Sequence, residues 1–304
     1  QSHLSDLHDR PLQDHRRTLH MTGSETASPA LVSVHGGHTA QFGDGADSLE
    51  EVVGAYAARG FEWVGITEHI PPVSTEFLSP EEIAAGHTAE SRLHRFAEYF
   101  SVARELQSRY QDSIRVLVGF ETECCTGYIQ HVESLRNRFQ PDYIVGSIHH
   151  VRDIIIDWTP EQYAQASELV GGIDALYCEY FDQQHELITA LRPKVIGHFD
   201  LIRMHDKDYR QRLEQPEIKE RIRRNLELIK ELGSILDFNL RAFEKGATEP
   251  YVSQSILQMA LELGVLCAPG DDSHGVATVG LHLERGIEIL QQTGFSTDWP
   301  VPSH

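Results

Sequence analysis

Histidine is the residue type that most needs explaining in this sequence. Eighteen of its 304 residues are His, about twice the share of an ordinary soluble chain, which is roughly 2–3%. Position says more than number. His35 and His38 flank a Gly-Gly pair, His69 follows Thr67-Glu68, His149 and His150 are adjacent, His198 precedes Phe199-Asp200, and His274 closes Asp271-Asp272-Ser273. Neutral imidazoles and carboxylates without thiolates suit zinc, manganese, iron or nickel, whereas magnesium and calcium would ask for oxygen ligands almost alone. Eight candidates, His35, His38, His69, Glu121, His149, His198, Asp272 and His274, exceed the three protein ligands that one catalytic ion needs. They predict two or three divalent transition-metal ions bridged by a carboxylate, a cluster that supplies hydroxide from water near pH 7. Glu121 is the expected bridge, because it alone follows the third, central strand of the series below. His150 is expected to point away from His149 if strand alternation persists, as a support or a substrate contact.

These residues need elements that bring them together. Hydrophobic runs of buried-strand length span 31–34, 63–67, 114–120, 143–148, 194–199, 234–239 and 265–270, and six of the seven lead into His, Asp or Glu. Helical patterns lie between them, at 48–60 closing on Gly60, at 80–110, and at 215–233 closing on Gly233. No Asn-Gly or Asp-Gly joins two adjacent runs, so hairpins are not expected, and repeated β-α units predict right-handed crossovers in a parallel sheet. Such folds place function at the carboxyl ends of their strands. Convergence from almost every strand predicts a closed barrel over an open sheet. Residues 31–304 are expected to form a single domain behind a flexible polar leader, 1–30, whose four histidines are set aside from the site.

Composition narrows the partners. Twenty-six Lys and Arg against 46 Asp and Glu give a formal charge of −20, which repels a phosphate backbone, so no nucleic-acid partner is expected. No run approaches the roughly 18 apolar residues of a membrane span, and residues 1–20 lack the apolar centre of a secretory signal. Four cysteines without CxxC spacing indicate neither a disulfide framework nor a zinc ribbon. A soluble cytoplasmic protein is the expectation.

In order, the motifs are a His-rich first strand end, Thr-Glu-His, Gly-Phe-Glu, Gly-Ser-Ile-His-His, Gly-His-Phe-Asp-Leu and Asp-Asp-Ser-His. This order resembles the PHP (polymerase and histidinol phosphatase) superfamily. SLEEVV, GITEHIPP, DYIVGSIHHV, IGHFDLIR and EKGATEPY resemble its histidinol-phosphate phosphatases in particular. The resemblance implies an α/β fold, a distorted (β/α)7 barrel with a trinuclear metal site at the C-terminal ends of the strands. His35 and His38 match its first His pair, His69 its Thr-Glu-His histidine, Glu121 its bridging glutamate, His149 and His198 its next two histidines, and Asp272 and His274 its last pair. A further ligand is implied after the first pair; no histidine stands there, and Asp44 or Asp47 is expected instead.

The implied activity is hydrolysis of a small-molecule phosphate ester, namely histidinol phosphate to histidinol and phosphate, by a metal-bridging hydroxide. Glu121, His149, His198 and Asp272 would then be catalytic, and Arg203 is expected to clamp the phosphate as a bidentate donor. Arg241 and Lys245 are alternatives for that task, while Asp157, Asp200 or Glu244 could read the amine and imidazole, with His150 nearby. Two other readings stand beside this one. A hydrolase of another phosphate ester or phosphodiester would keep the ligands and change the rim; a non-catalytic metal-binding relative would have lost the strand-end histidines.

The chain departs from the family pattern at its first motif, with His35-Gly36-Gly37-His38 in place of His-x-His. Residues three apart on an extended strand face opposite sides. Both imidazoles reach one cluster only if the glycines bend the chain, with at least one in a conformation costly for other residues.

Overall fold

The computed structural model describes residues 28–302, so residues 1–27 of the expected leader fall outside the described residues. In chain order the elements are β1 (Val32–Ser33), α1 (Leu49–Ala58), β2 (Trp63–His69), α2 (Pro80–Ala84), α3 (Ala89–Arg109), β3 (Arg115–Glu121), α4 (Tyr128–Phe139) and β4 (Tyr143–Gly146). There follow β5 (His150–Val151), β6 (Ile154–Ile155), α5 (Pro160–Val170), α6 (Ile173–Leu191), β7 (Val195–Ile196), α7 (Tyr209–Leu213) and α8 (Pro216–Leu232). The chain closes with β8 (Ile235–Asn239), α9 (Arg241–Glu244), α10 (Gln254–Leu263), β9 (Leu266–Gly270) and α11 (Leu283–Thr293).

The seven expected runs become seven parallel strands in the order β1-β2-β3-β4-β7-β8-β9. Across the seam, Val34 N–H donates to Pro269 O at 3.0 Å and Asp272 N–H to His35 O at 2.9 Å, so the sheet curls into a nearly closed barrel with helices outside. Both faces of each strand are covered, which is why the runs are continuously apolar and not alternating. Register does the positioning. Strands β2 and β3 pair from Trp63↔Arg115 to His69↔Glu121, so their functional ends are level. The buried Tyr143 hydroxyl donates to Val34 O at 2.6 Å, tying β4 to the first strand across the barrel interior.

Two expectations need correction. The helix expected over 80–110 is two, α2 and α3, because Gly86 turns the chain at φ 80° and Thr88 caps a new start by accepting from Ser91 N–H at 3.1 Å. A hairpin also exists: β5 and β6 pair antiparallel around Arg152 and Asp153, at φ 52° and 64°. Two positive-φ residues make this a type I′ geometry reached without glycine. The Asp153 carboxylate anchors it, accepting from Thr126 N–H at 2.6 Å and Thr126 Oγ1–H at 2.7 Å. Among the described residues, no helix is long and apolar enough to cross a membrane.

Candidate metal centre

Glu121 ends β3 almost fully buried, and its two oxygens face different neighbours. Oε2 lies 3.1 Å from His35 Nε2, 3.3 Å from His69 Nδ1 and 3.7 Å from His38 Nε2. Oε1 lies 2.8 Å from His198 Nε2 and 3.2 Å from His149 Nε2. One carboxylate therefore lies against five imidazoles from four strand ends, with an oxygen for each side. Asp272 adds a second centre, its Oδ1 3.2 Å from His38 Nε2 while Oδ2 accepts from Asn239 Nδ2 at 3.0 Å. Its backbone stands at φ 47°, a left-handed conformation that costs a non-glycine residue of order 1 kcal/mol and tends to mark functional positions.

Three of the imidazoles are held from behind. His35 Nδ1 lies 2.9 Å from Asp237 Oδ2, His38 Nδ1 3.3 Å from Glu68 Oε1, and His274 Nδ1 2.8 Å from the Asp272 carbonyl. An acceptor at Nδ1 keeps the proton there and frees the Nε2 lone pair for a cation. His35 Nε2, His38 Nε2 and Asp272 Oδ1 are buried without a hydrogen-bond partner among the described residues. Buried polar atoms are rarely left so unless something else satisfies them.

The electrostatics agree. Burial would raise the Glu121 carboxyl, but His35, His69 and His149 hold it well below the usual carboxylate range. Burial would lower the His35 imidazole, yet Glu121 and Asp272 drive it well above the usual value; His38, against the same burial, is pushed up to about 10 by Asp272 and Glu68. His274 goes the other way, to about 4, through burial and the neighbouring His38. Such a concentration of carboxylates asks for positive charge at the imidazoles, the need that divalent cations meet. Ligand atoms of His38, Asp44, His69 and His274 lie within 4.8 Å of one another, as do those of His35, His38 and Asp272, of His35, Glu121 and His198, and of His69, Glu123 and His149. The donor set fits divalent metal.

The first motif folds as its glycines allow. Gly37 takes φ 78°, and a Cβ there would lie 2.8 Å from Ile66 Cγ2. Backbone contacts hold the bend: Gly37 N–H donates to Ser273 Oγ at 3.0 Å and His38 N–H to Ser273 O at 2.9 Å. His35 and His38 end fully buried with ring centroids 5.6 Å apart. Of the two aspartates expected after this motif, Asp44 lies nearer the imidazoles. Asp44 Oδ1 lies 3.6 Å from His274 Nε2 and 3.9 Å from His69 Nε2, whereas Asp47 caps Val276 N–H at 2.8 Å.

The rim differs from expectation. Arg203 is neither a free clamp nor a surface residue: it is 4% exposed, its Nη2 donates to Glu249 O and Pro250 O at 2.8 and 2.6 Å, and its Nε lies 3.2 Å from Asp200 Oδ2. Tyr209 and Tyr251 cover the guanidinium at 4.8 and 4.5 Å. Nε makes no hydrogen bond among the described residues, and the bonds of Nη2 make the guanidinium a strut of the 249–251 segment. Asp200 is likewise engaged, by Ser253. Arg241 Nη1 sits 3.3 Å from Glu244 Oε2 and 3.4 Å from the Asp272 carbonyl, next to the ligand cluster. Lys245 is exposed. Asp157 keeps a buried oxygen without a partner among the described residues. His150 does not point away, because β4 ends at Gly146 and alternation stops; its Nδ1 faces Glu123 Oε2 at 3.4 Å.

Sequence reasoning passed over Glu123, Asp237 and Glu68 as site residues. Asp237 carried a signal, a carboxylate in the middle of an apolar strand, which burial forbids without a partner. Glu123 carried another, standing two residues after Glu121 on the same side of an extended chain.

A family model for the PHP domain matches residues 35–241. A protein of Schizosaccharomyces pombe named "Probable histidinol-phosphatase" is 35% identical over 253 residues, 82% of each chain. A solved structure from Listeria monocytogenes, described as "putative histidinol phosphatase hisK", aligns with a TM-score of 0.73 at 25% identity, over 84% of this chain and 99% of its own. A histidinol phosphate phosphatase structure from Lactococcus lactis, complexed with zinc, L-histidinol and phosphate, shares the fold at a TM-score of 0.66 and 19% identity, over 87% of this chain and 94% of its own.

Proposed function

The chain belongs to the PHP domain family, and from that premise we propose that it is a metal-dependent phosphomonoesterase that hydrolyses histidinol phosphate to histidinol and inorganic phosphate. The observation that carries this reading is Glu121, whose Oε2 faces His35 and whose Oε1 faces His149 and His198 at 3.1, 3.2 and 2.8 Å. A carboxylate so placed can serve two cations with one oxygen each. His35, His38 and Asp272 would hold one ion, Asp44, His69 and His274 a second, and His149 and His198 a third, with zinc, manganese or iron the metals the donors suit. When bound, such ions supply Lewis acidity toward phosphoryl oxygens and acidify water at neutral pH.

The protein's own residues do the rest. Asp237, Glu68 and the Asp272 carbonyl hold Nδ1 of His35, His38 and His274, so those rings present Nε2 inward without reorganising. Arg241, beside the Asp272 carbonyl, supplies fixed positive charge for a phosphate dianion. Asp157, with an unpartnered buried oxygen, suits the cationic amine or imidazole of the alcohol. The Arg203 strut braces the 249–251 segment, and Tyr251 of that segment stands 6.5 Å from the His198 ring. Four free cysteines support a reducing, cytoplasmic setting.

Phosphate release from L-histidinol phosphate tests the reading. The protein reconstituted with zinc or manganese is expected to turn over, to stop after chelation, and to recover when the ion is restored. Turnover that survives chelation, or a reconstituted protein inert toward L-histidinol phosphate but active on another ester, overturns it.

A further inference from the structure

His69 and His149 share one candidate ligand group with Glu123, but outside it they part: His69 groups with His38, Asp44 and His274, and His149 Nε2 lies 3.2 Å from Glu121 Oε1, which His198 Nε2 approaches at 2.8 Å. Both turn Nδ1 toward the same carboxylate. Glu123 Oε1 lies 3.0 Å from His69 Nδ1, and Oε2 lies 3.1 Å from His149 Nδ1 and 3.4 Å from His150 Nδ1. Those three ring nitrogens and Glu123 Oε2 are buried and make no hydrogen bond among the described residues; their contact is this ion-pair proximity to Glu123, with Glu121 Oε2 also 3.3 Å from His69 Nδ1.

The backbone carrying Glu123 is pinned on both sides. Thr122 N–H donates to Val145 O at 3.0 Å, the Thr122 hydroxyl to Ser147 O at 3.2 Å, and Cys124 Sγ–H to Ser147 O at 3.1 Å. Beyond them Thr126 is tied to Asp153 at the tip of the β5–β6 hairpin, the same hairpin that presents His150. The two oxygens of Glu123 are thus held apart by a rigid local frame, Oε1 toward His69 and Oε2 toward His149 and His150.

A neutral imidazole carries its proton on one nitrogen only. An acceptor at Nδ1 selects the tautomer whose Nε2 can ligate. We infer that Glu123 is a shared positioning residue: without ligating an ion, it fixes the Nε2-presenting tautomer and ring orientation of His69 and His149 together, and so couples two metal subsites through one side chain. The alternative, Glu123 as a ligand with His69 and His149, would turn Nδ1 of both rings onto an ion. Their Nε2 atoms, however, already face Asp44 at 3.9 Å and Glu121 at 3.2 Å.

The inference rests on the site being a metal centre, and its tests are blind to substrate. In the zinc-loaded full chain with ¹⁵N-labelled histidine, imidazole NMR should find His69 and His149 both protonated at Nδ1 and metal-bound at Nε2. Metal on Nδ1 of either ring overturns the inference. In the second test, zinc competition with a chromophoric chelator, Glu123→Ala should weaken two sites together by about 10–100-fold each, leaving the site of His35, His38 and Asp272 unchanged. Loss at one site alone, or unchanged binding with an altered KM, overturns it. The NMR result on the unmutated chain decides the matter even if Glu123→Ala does not fold. If the unmutated chain binds no zinc, manganese or iron, what fails is the metal-centre reading itself.

Discussion

Asp237 Oδ2 and His35 Nδ1 lie 2.9 Å apart, 202 positions distant in sequence and both without solvent exposure. Asp237 comes from the middle of β8 and His35 from the end of β1, two strands with β9 between them in the sheet. The same oxygen accepts from His198 N–H at 3.2 Å and Asn239 Nδ2 at 2.9 Å. A single buried carboxylate therefore sets the rotation of one imidazole and steadies the backbone of another.

Asp237→Asn tests that contact, because it keeps the size of the side chain while replacing one acceptor oxygen by a donor. Metal affinity should fall by about 10–100-fold, as read by chelator competition. Unchanged affinity would make Asp237 a packing residue only.

Gly37→Val should lose metal although it removes no ligand. Its φ of 78° is costly for any side chain, and its Cβ would strike Ile66. A combined loss of about 1–3 kcal/mol or more is expected from strain and clash. Gly60→Val is the control, since Gly60 has nearly the same φ, 77°, but nothing within 4 Å of its Cβ. It should lower Tm and leave metal content intact. Equal metal content in the two variants would contradict the bend as the device that brings His38 to His35.

Arg203→Ala separates strut from clamp. Removing the guanidinium leaves Asp200 buried and frees the 249–251 segment, so a loss of about 3–5 kcal/mol is expected, measured by denaturant unfolding. Full stability with a raised KM would mean that the guanidinium acts on substrate instead.

Arg241→Ala should leave metal stoichiometry and fold intact while lowering kcat/KM for the phosphomonoester. The loss of one charge-assisted hydrogen bond, about 1.5–3 kcal/mol, corresponds to roughly 10–150-fold. Lys245→Ala, at an exposed position, should change little. The reverse ranking would move the phosphate contact to Lys245.

The sequence made the barrel legible because each parallel strand is buried on both faces and reads as an unbroken apolar run. The ends were legible because imidazoles and carboxylates after such runs have few other reasons to be there. The hairpin at Arg152-Asp153 was not, since its positive-φ turn uses neither Asn nor Gly and depends on Asp153 reaching Thr126. The burial of Arg203 was not legible for a related reason. Its partners, Glu249, Pro250 and Tyr251, come from a segment more than forty residues away, a proximity that only the closed barrel creates. Glu123 and Asp237 escaped because each touches the far nitrogen of a candidate ligand, and spacing reports only which residues share a face.

The central claim is a multinuclear centre built on Glu121, and elemental analysis of the reconstituted chain tests it most directly. At least two divalent ions per chain are expected, since six strand ends supply more donors than one ion can use, and Glu121→Ala should lose both metal and turnover. One ion or fewer per chain, accompanied by full activity, would contradict it.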